Sequence, residues 1–233
     1  MADERLIVAL DVQSMSEVKK LVDELGETVN FYKVGMELFY SVGAGVVEWL
    51  KARDKKVFID LKLHDIPNTV AGGLLSLMNL GADILNVHAS GGYTMMKTAA
   101  EILQSEAAKK GILAPKLVAV TVLTSINQSE WFGALKISSQ VVEFAKLAKK
   151  AGLNGVVCSP KEAKMIREAC GDGFLIITPG IRPLGAEIND QQRISTPKAA
   201  LMNGATHLVV GRPIRAAKNP REAALKIIKE MQS

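Results

Sequence analysis

The sequence predicts a single α/β domain of the (β/α)8 type, an eight-stranded parallel barrel, and three observations carry that prediction. Short β-branched runs recur eight times along the 233 residues, and segments with helical spacing of apolar residues lie between them. Each run is nearly continuous in apolar residues instead of alternating, as in parallel strands covered on both faces. Eight pairs in this length leave about 29 residues per unit, enough for a parallel crossover.

The elements follow in order. LIVALD (6–11) opens the barrel, and MSEVKKLVDELG (15–26) is the first helix, with Ser14 or Ser16 ahead of it and Gly26 closing it. FYKVG (31–35) leads to VEWLKARD (47–54), and VFIDL (57–61) leads to NTVAGGLLSLMNLG (68–81), ended by Gly81. DILNVH (83–88) pairs with YTMMKTAAEILQSEAAKK (93–110), and LVAVTVL (117–123) with VVEFAKLAKKAG (141–152). GVVCS (155–159) precedes KEAKMIREAC (161–170), and FLIITPG (174–180) precedes PKAALMNG (197–204). HLVVGR (207–212) precedes PREAALKIIKEM (220–231), which Pro220 opens, while Gly152 and Gly204 close their helices. A doubly wound sheet rarely runs through eight uninterrupted units and would want a Gly-rich first turn, which ALDVQSMS lacks. The closed form, a TIM barrel, is therefore the expected architecture over residues 1–233.

Composition excludes several classes. At 48% hydrophobic, with 19 Gly and 8 Pro scattered between apolar segments, the chain holds a large core and shows no linker. Cys158 and Cys170 make no CxxC pair and no metal spacing with the three histidines, which argues against a disulfide scaffold or zinc site and fits a reduced cytoplasm. MADERLIVAL has too few apolar residues for a signal peptide, and no run is long enough to span a bilayer. The net charge of +5 comes largely from lysine pairs on polar helix faces, Lys19-Lys20, Lys109-Lys110 and Lys149-Lys150. Nucleic-acid binders cluster basic residues with aromatics instead, so no nucleic acid is expected, whereas a small anionic ligand suits the charge.

Barrel enzymes place their chemistry at strand C-terminal ends. Asp11, Lys33, Asp60 and Lys62, His88, Thr124 and Ser125, Ser159, Arg182, and Gly211-Arg212 all stand at or just past such ends. Asp60 and Lys62, two apart on an extended segment, leave the same face. Asp65 lies beyond the strand, where the turn at His64-Asp65-Ile66-Pro67 can aim it elsewhere, including across a subunit boundary. A structural ion pair at the rim is the alternative reading of this pattern. Lys33 interrupts a buried strand with a second cation, and with Asp11 it doubles the network. At an effective dielectric of ~20, opposite charges about 4 Å apart gain about 4 kcal/mol, so such an array neutralises itself. A lysine held as an ammonium between acids donates a proton and does not form imines.

Gly211 and Arg212 form a candidate phosphate clamp, in loops where this fold commonly binds phosphate. The stretch 180–194 exceeds an ordinary connection and reads as a loop that closes over the site. His88 is expected as a hydrogen-bonding rim residue, and His64 and His207 as structural. Cys158 is expected as a small buried hydrophobe, and Trp49 and Trp131 as packing residues.

At these residues the chain resembles bacterial orotidine 5'-phosphate decarboxylases, from LIVALD and FYKVGMELFY through DLKLHDIPNTV, NVHASGG, VTVLTS, GVVCS, TPGIRP and NDQQR to VVGRPI. DLKLHDIPNT is highly specific to that family. The resemblance implies decarboxylation of orotidine 5'-monophosphate to UMP with no metal or organic cofactor. Asp60 and Lys62 would stand at the reacting carbon, with Lys33 in the charged array and Asp65 contributed by the partner of a homodimer. The segment Asp60, Leu61, Lys62, Leu63, His64, Asp65, Ile66, Pro67, Asn68 and Thr69 would line the nucleotide site as a unit. Asp11 and Thr124 would contact ribose and Ser125 the pyrimidine. Gln191, Arg212 and the Gly211 amide would grip phosphate, with Arg182 on the closing loop.

The alternative is a magnesium-dependent sugar-phosphate decarboxylase or aldolase of the same superfamily. Those enzymes resemble DxKxxD barrels but carry a glutamate ligand where this chain has Lys33. A non-catalytic nucleotide-phosphate sensor would be expected to lack one of Asp60, Lys62 and Asp65, and all three are present.

Overall fold

The computed structural model describes residues 2–183 and 195–233. Eight parallel strands close into a barrel in sequence order: β1 (Leu6–Ala9), β2 (Phe31–Gly35), β3 (Lys56–Leu63), β4 (Ile84–His88), β5 (Lys116–Val120), β6 (Gly155–Val157), β7 (Leu175–Thr178) and β8 (His207–Val210). Closure is made by β1 on β8, with Leu6 opposite Leu208 and Val8 opposite Val210.

The helices are α1 (Met15–Leu25), α2 (Met36–Val42), α3 (Gly45–Lys51), α4 (Pro67–Met78), α5 (Gly92–Lys110), α6 (Ile137–Lys150), α7 (Ala163–Cys170), α8 (Pro197–Met202), α9 (Arg212–Arg215) and α10 (Pro220–Gln232). Local chemistry sets their starts. Ser14 Oγ accepts the Glu17 N–H, Thr196 Oγ1 that of Ala199, and Asn219 Oδ1 that of Glu222, each satisfying an N–H the first turn leaves open. Several helices depart from expectation. The expected single helix at 47–54 is a pair, α2 and α3, divided at Gly43, whose φ of 75° only glycine adopts readily. The short α9 follows β8 directly, and α6 begins four residues before the apolar spacing suggested.

Strand alternation sorts the side chains. Ile7, Ala9, Phe31, Phe58, Ile84, Val118, Ile177 and Val209 make an inner cluster that fills the barrel, while their neighbours in sequence pack outward on the helices. Burying side chains of this size contributes roughly 1.5–3 kcal/mol each. At β6 the sheet closes on a glycine, since a Cβ on Gly155 would stand 2.3 Å from the Leu175 carbonyl oxygen. The apolar runs outlast their strands: Thr121, Val122 and Leu123 continue beyond β5 into a loop over the mouth. No helix among the described residues is long and apolar enough to cross a membrane.

Candidate active site

The inner cluster also explains where charge appears. Two residues beyond Phe31 is Lys33, two beyond Phe58 is Asp60, two beyond Ile84 is Asn86, and two beyond Ala9 is Asp11. The same inward periodicity that builds the core thus delivers polar side chains to its upper end. Lys33 Nζ lies 3.0 Å from Asp11 Oδ1 and 3.3 Å from Asp60 Oδ2, and Lys62 Nζ lies 2.7 Å from Asp60 Oδ1. Four charges alternate in sign: Asp11, Lys33, Asp60, Lys62. Gly35 leaves room for this array, because a Cβ there would stand 2.7 Å from Lys33 Nζ.

Burial by itself pushes the Asp60 carboxyl up, but Lys33, Lys62 and the hydrogen bonds from Lys62 and Asn86 outweigh it and hold the group below the usual carboxylate range. Burial pushes the Lys33 ammonium down, and Asp60 and Asp11 more than reverse that. Asp60 is therefore an anion at neutral pH although its side chain is only 12% exposed.

Lys62 reaches the mouth by a route simple alternation does not describe. Its φ is 54°, in the left-handed region, and the β3–β4 register shifts between Ile59 and Leu63. Asp60 and Lys62 converge through this kink and not through a straight strand, which corrects the same-face reasoning while keeping its outcome. Leu61 and Leu63 pack toward the helices, and a Cβ on Gly73 of α4 would meet Leu63 Cδ2 at 2.8 Å.

A cavity of about 300 Å³ opens over the array, lined by Lys33, Asp60, Lys62, Thr124 and Ser125, with Phe58, Val120 and Val209 among its apolar walls. Of the ten residues from Asp60 to Thr69, only Asp60 and Lys62 line it within one chain. Pro67 opens α4, Asn68 and Thr69 lie exposed on its first turn, and Ile66 is 67% exposed ahead of it. Asp65 is exposed and accepts the Ile66 N–H at 2.6 Å, outside the array of its own chain. A larger hollow, about 660 Å³, lies at the opposite end of the barrel, where the strands begin, and holds none of the array.

Around the cavity, Gly211 runs close to Asp11: a Cβ on it would stand 3.5 Å from Asp11 Oδ2. Arg182 is buried and donates to the Ile181 carbonyl at 2.9 Å. Burial, and then the positive charge of Arg212, depress its pKa. Arg182 N–H also donates to the Ser195 carbonyl at 2.9 Å, and the Ser195 N–H to that of Gly180 at 3.3 Å, which ties together the two ends of the loop. Gln191 and most of the expected closing loop, 184–194, lie outside the described residues.

His207 is structural, with Nδ1 3.0 Å from Thr206 Oγ1 and its ring edge-on to Phe31. His88, at the end of β4, brings its ring to within 5.4 Å of that of His64, and burial, then His64 and Lys62, depress its pKa. Cys158 is buried and takes no part in a disulfide, and Trp49 packs on the core beneath the Arg53 guanidinium. Two site residues escaped the sequence reading, Gly35 and Asn86. The signal for Asn86 was present: an amide in the otherwise apolar strand ILNVH, at an inward position.

Residues 4–227 match the family described as orotidine 5'-phosphate decarboxylase / HUMPS. The chain is 48% identical to an orotidine 5'-phosphate decarboxylase of Moorella thermoacetica, over 99% of this chain and 93% of that one. It is 50% identical to one of Carboxydothermus hydrogenoformans, over 98% of this chain and 96% of the other. Among solved structures, the crystal structure of an orotidine 5'-phosphate decarboxylase from Lactobacillus acidophilus superposes with a TM-score of 0.87 at 43% identity, covering 99% of this chain and all of that one.

Proposed function

The chain belongs to the orotidine 5'-phosphate decarboxylase / HUMPS family, and from that membership we propose how the mouth of its barrel performs the reaction. The reaction is decarboxylation of orotidine 5'-monophosphate to UMP in pyrimidine synthesis. The observation that carries the mechanism is the pairing of Lys62 Nζ with Asp60 Oδ1 at 2.7 Å inside a cavity, with Lys33 on the other side of the same carboxylate.

The orotate carboxylate sits beside Asp60, which its two lysines keep ionised and which therefore cannot neutralise the substrate. Breaking the C6–carboxyl bond expels CO₂ and leaves the electron pair on C6. Lys62 stabilises that pair and then gives up one N–H proton to it, so that a C6–H bond forms and a neutral amine remains. An interaction that becomes favourable only as charge moves to the ring accelerates this step. Side chains supply every charge the step uses, so the mechanism calls on no metal or organic cofactor.

Binding groups surround this centre. Asp11 and Thr124 contact ribose, and Ser125, at the cavity wall, contacts the pyrimidine. Arg212, the Gly211 amide and Gln191 take the phosphate, in keeping with the positive charge that Arg212 sets near Arg182. The loop around 180–194 closes over the phosphate and excludes water, its ends already joined at Gly180–Arg182 and Ser195. A second copy of the chain supplies Asp65, which its own array leaves unused and which stands beside the exposed Ile66. Cys158 and Cys170, both buried and not joined in a disulfide, suit a cytoplasmic setting. The magnesium-dependent alternative is not favoured: the matched relatives are orotidine 5'-phosphate decarboxylases over nearly their full length, and a cation, Lys33, stands near the end of β2.

The test is loss of ultraviolet absorbance from orotidine 5'-monophosphate in metal-free buffer, for the unsubstituted protein and Lys62→Ala. Turnover by the first, insensitive to EDTA, is expected. The variant should bind UMP as before while turnover falls by roughly 10³-fold or more, the scale of a lost charge-stabilising group. Unchanged turnover in the variant overturns the mechanism.

A further inference from the structure

Asn86 is buried in β4, 1% exposed, and its amide bridges the two residues placed at the reacting carbon. Nδ2 donates to Asp60 Oδ1 at 2.6 Å, and Oδ1 accepts the backbone N–H of Lys62 at 2.7 Å. The orientation of the amide follows from its partners, since an ionised carboxylate only accepts and a backbone N–H only donates.

The second bond replaces something the sheet gives up. Between Ile59 and Leu63 the β3–β4 register shifts, and Lys62 turns to φ 54°, a conformation disfavoured for any residue with a Cβ. A part-buried N–H displaced from its ladder needs another acceptor, and the Asn86 side chain is that acceptor. The same amide then fixes which way the Asp60 carboxylate faces.

We propose that Asn86 is a positioning residue for the decarboxylation: by bridging Asp60 Oδ1 and the Lys62 N–H it holds the left-handed kink that aims the Lys62 ammonium at the reacting carbon. This rests on the decarboxylase reading above. Asn86 does not need to touch the substrate, so its removal should lower kcat and leave ground-state binding nearly unchanged.

Two variants separate this role from simple core packing. Asn86→Ala removes both bonds. Asn86→Asp keeps the shape, and its carboxyl offers one donor and one acceptor when neutral but only acceptors when ionised. Asp60 and Lys62 of β3 bond to it, Lys33 of β2 pairs with the same Asp60 carboxylate, His88 follows two residues on in β4, and Val118 of β5 lies opposite. Burial and Asp60 favour the neutral form and the two lysines the ionised one, so protonation takes hold as pH falls.

The unsubstituted protein is assayed first with orotidine 5'-monophosphate; absence of turnover there would count against the decarboxylase reading, not against the role of Asn86. Given turnover, each variant should lose about a hundredfold in kcat at about pH 8, the scale of an ångström misplacement, with KM and UMP affinity within about threefold. For Asn86→Asp the deficit should shrink as pH is lowered toward about 5. Should Asn86→Ala fail to fold, Asn86→Asp decides. A kcat within threefold of the parent, a matching loss of UMP affinity, or a deficit that does not change with pH overturns the proposal.

Discussion

Lys33 pairs with Asp11 and Asp60 at once, and Lys33→Met, which keeps an unbranched side chain one atom shorter and removes the charge, shows what the array contributes to stability. At an effective dielectric of ~20, unit charges about 3.3 Å apart attract by about 5 kcal/mol. Burying the ammonium offsets part of that, and the contact with Asp11, whose side chain is 39% exposed, is discounted for solvent. What remains is chiefly the exposure of Asp60 as a buried anion with one cation fewer, for which about 3 kcal/mol is the expected loss. In a chain of this length that lowers Tm by roughly 6–12 °C.

Two pH effects follow from the charge states. Asp60 has its folded pKa depressed, so its contribution is present above the unfolded carboxylate range and is lost as pH falls through the folded value. Lys33 has its folded pKa raised, so its contribution is present below 10.5 and is lost as pH rises through the folded value. The difference in Tm between parent and variant should accordingly be widest near neutrality and shrink toward both extremes. Thermal unfolding followed by circular dichroism across this range measures it, and the double variant Lys33→Met with Asp60→Asn closes a cycle that isolates the pair. A neutral-pH Tm within one degree of the parent, or a gap that stays constant with pH, refutes the reasoning.

Three further outcomes are expected. Because Lys62 stands at φ 54°, Lys62→Gly should melt about 2–4 °C above Lys62→Ala, as roughly 1 kcal/mol of left-handed strain is relieved, with turnover lost in both; equal melting points would contradict it. Gly155→Ala should destabilise by about 1–3 kcal/mol, seen in urea titration, because its Cβ would press on the Leu175 carbonyl at 2.3 Å. If Asp65 is shared between subunits, mixing inactive Lys62→Ala and Asp65→Ala proteins under exchange should restore activity through one intact site per hybrid; a mixture as inactive as its components denies the sharing.

Much of this protein was legible in its residues. Continuous apolar runs such as LIVA and FYKVG are stable only when both faces are covered, so their number and spacing led to the closed parallel barrel. Charges at strand ends, Lys33, Asp60 and Lys62 above all, named the mouth because a buried charge persists only with a partner. The pairing of α2 with α3 was less legible, since MELFYSV and GVVEWLK are separated by a break that depends on Gly43 adopting a positive φ.

What only tertiary structure decided is how the charges meet. Alternation along one strand cannot reveal a register shift, which is a relation between β3 and β4, and so the left-handed backbone of Lys62 could not be read from DLKLHD. Nor could the bridge from Asn86, whose two partners lie 26 and 24 residues away in the chain. Side-chain periodicity is a local property, written in each segment; hydrogen bonds between strands depend on where the closed sheet sets one backbone against the next.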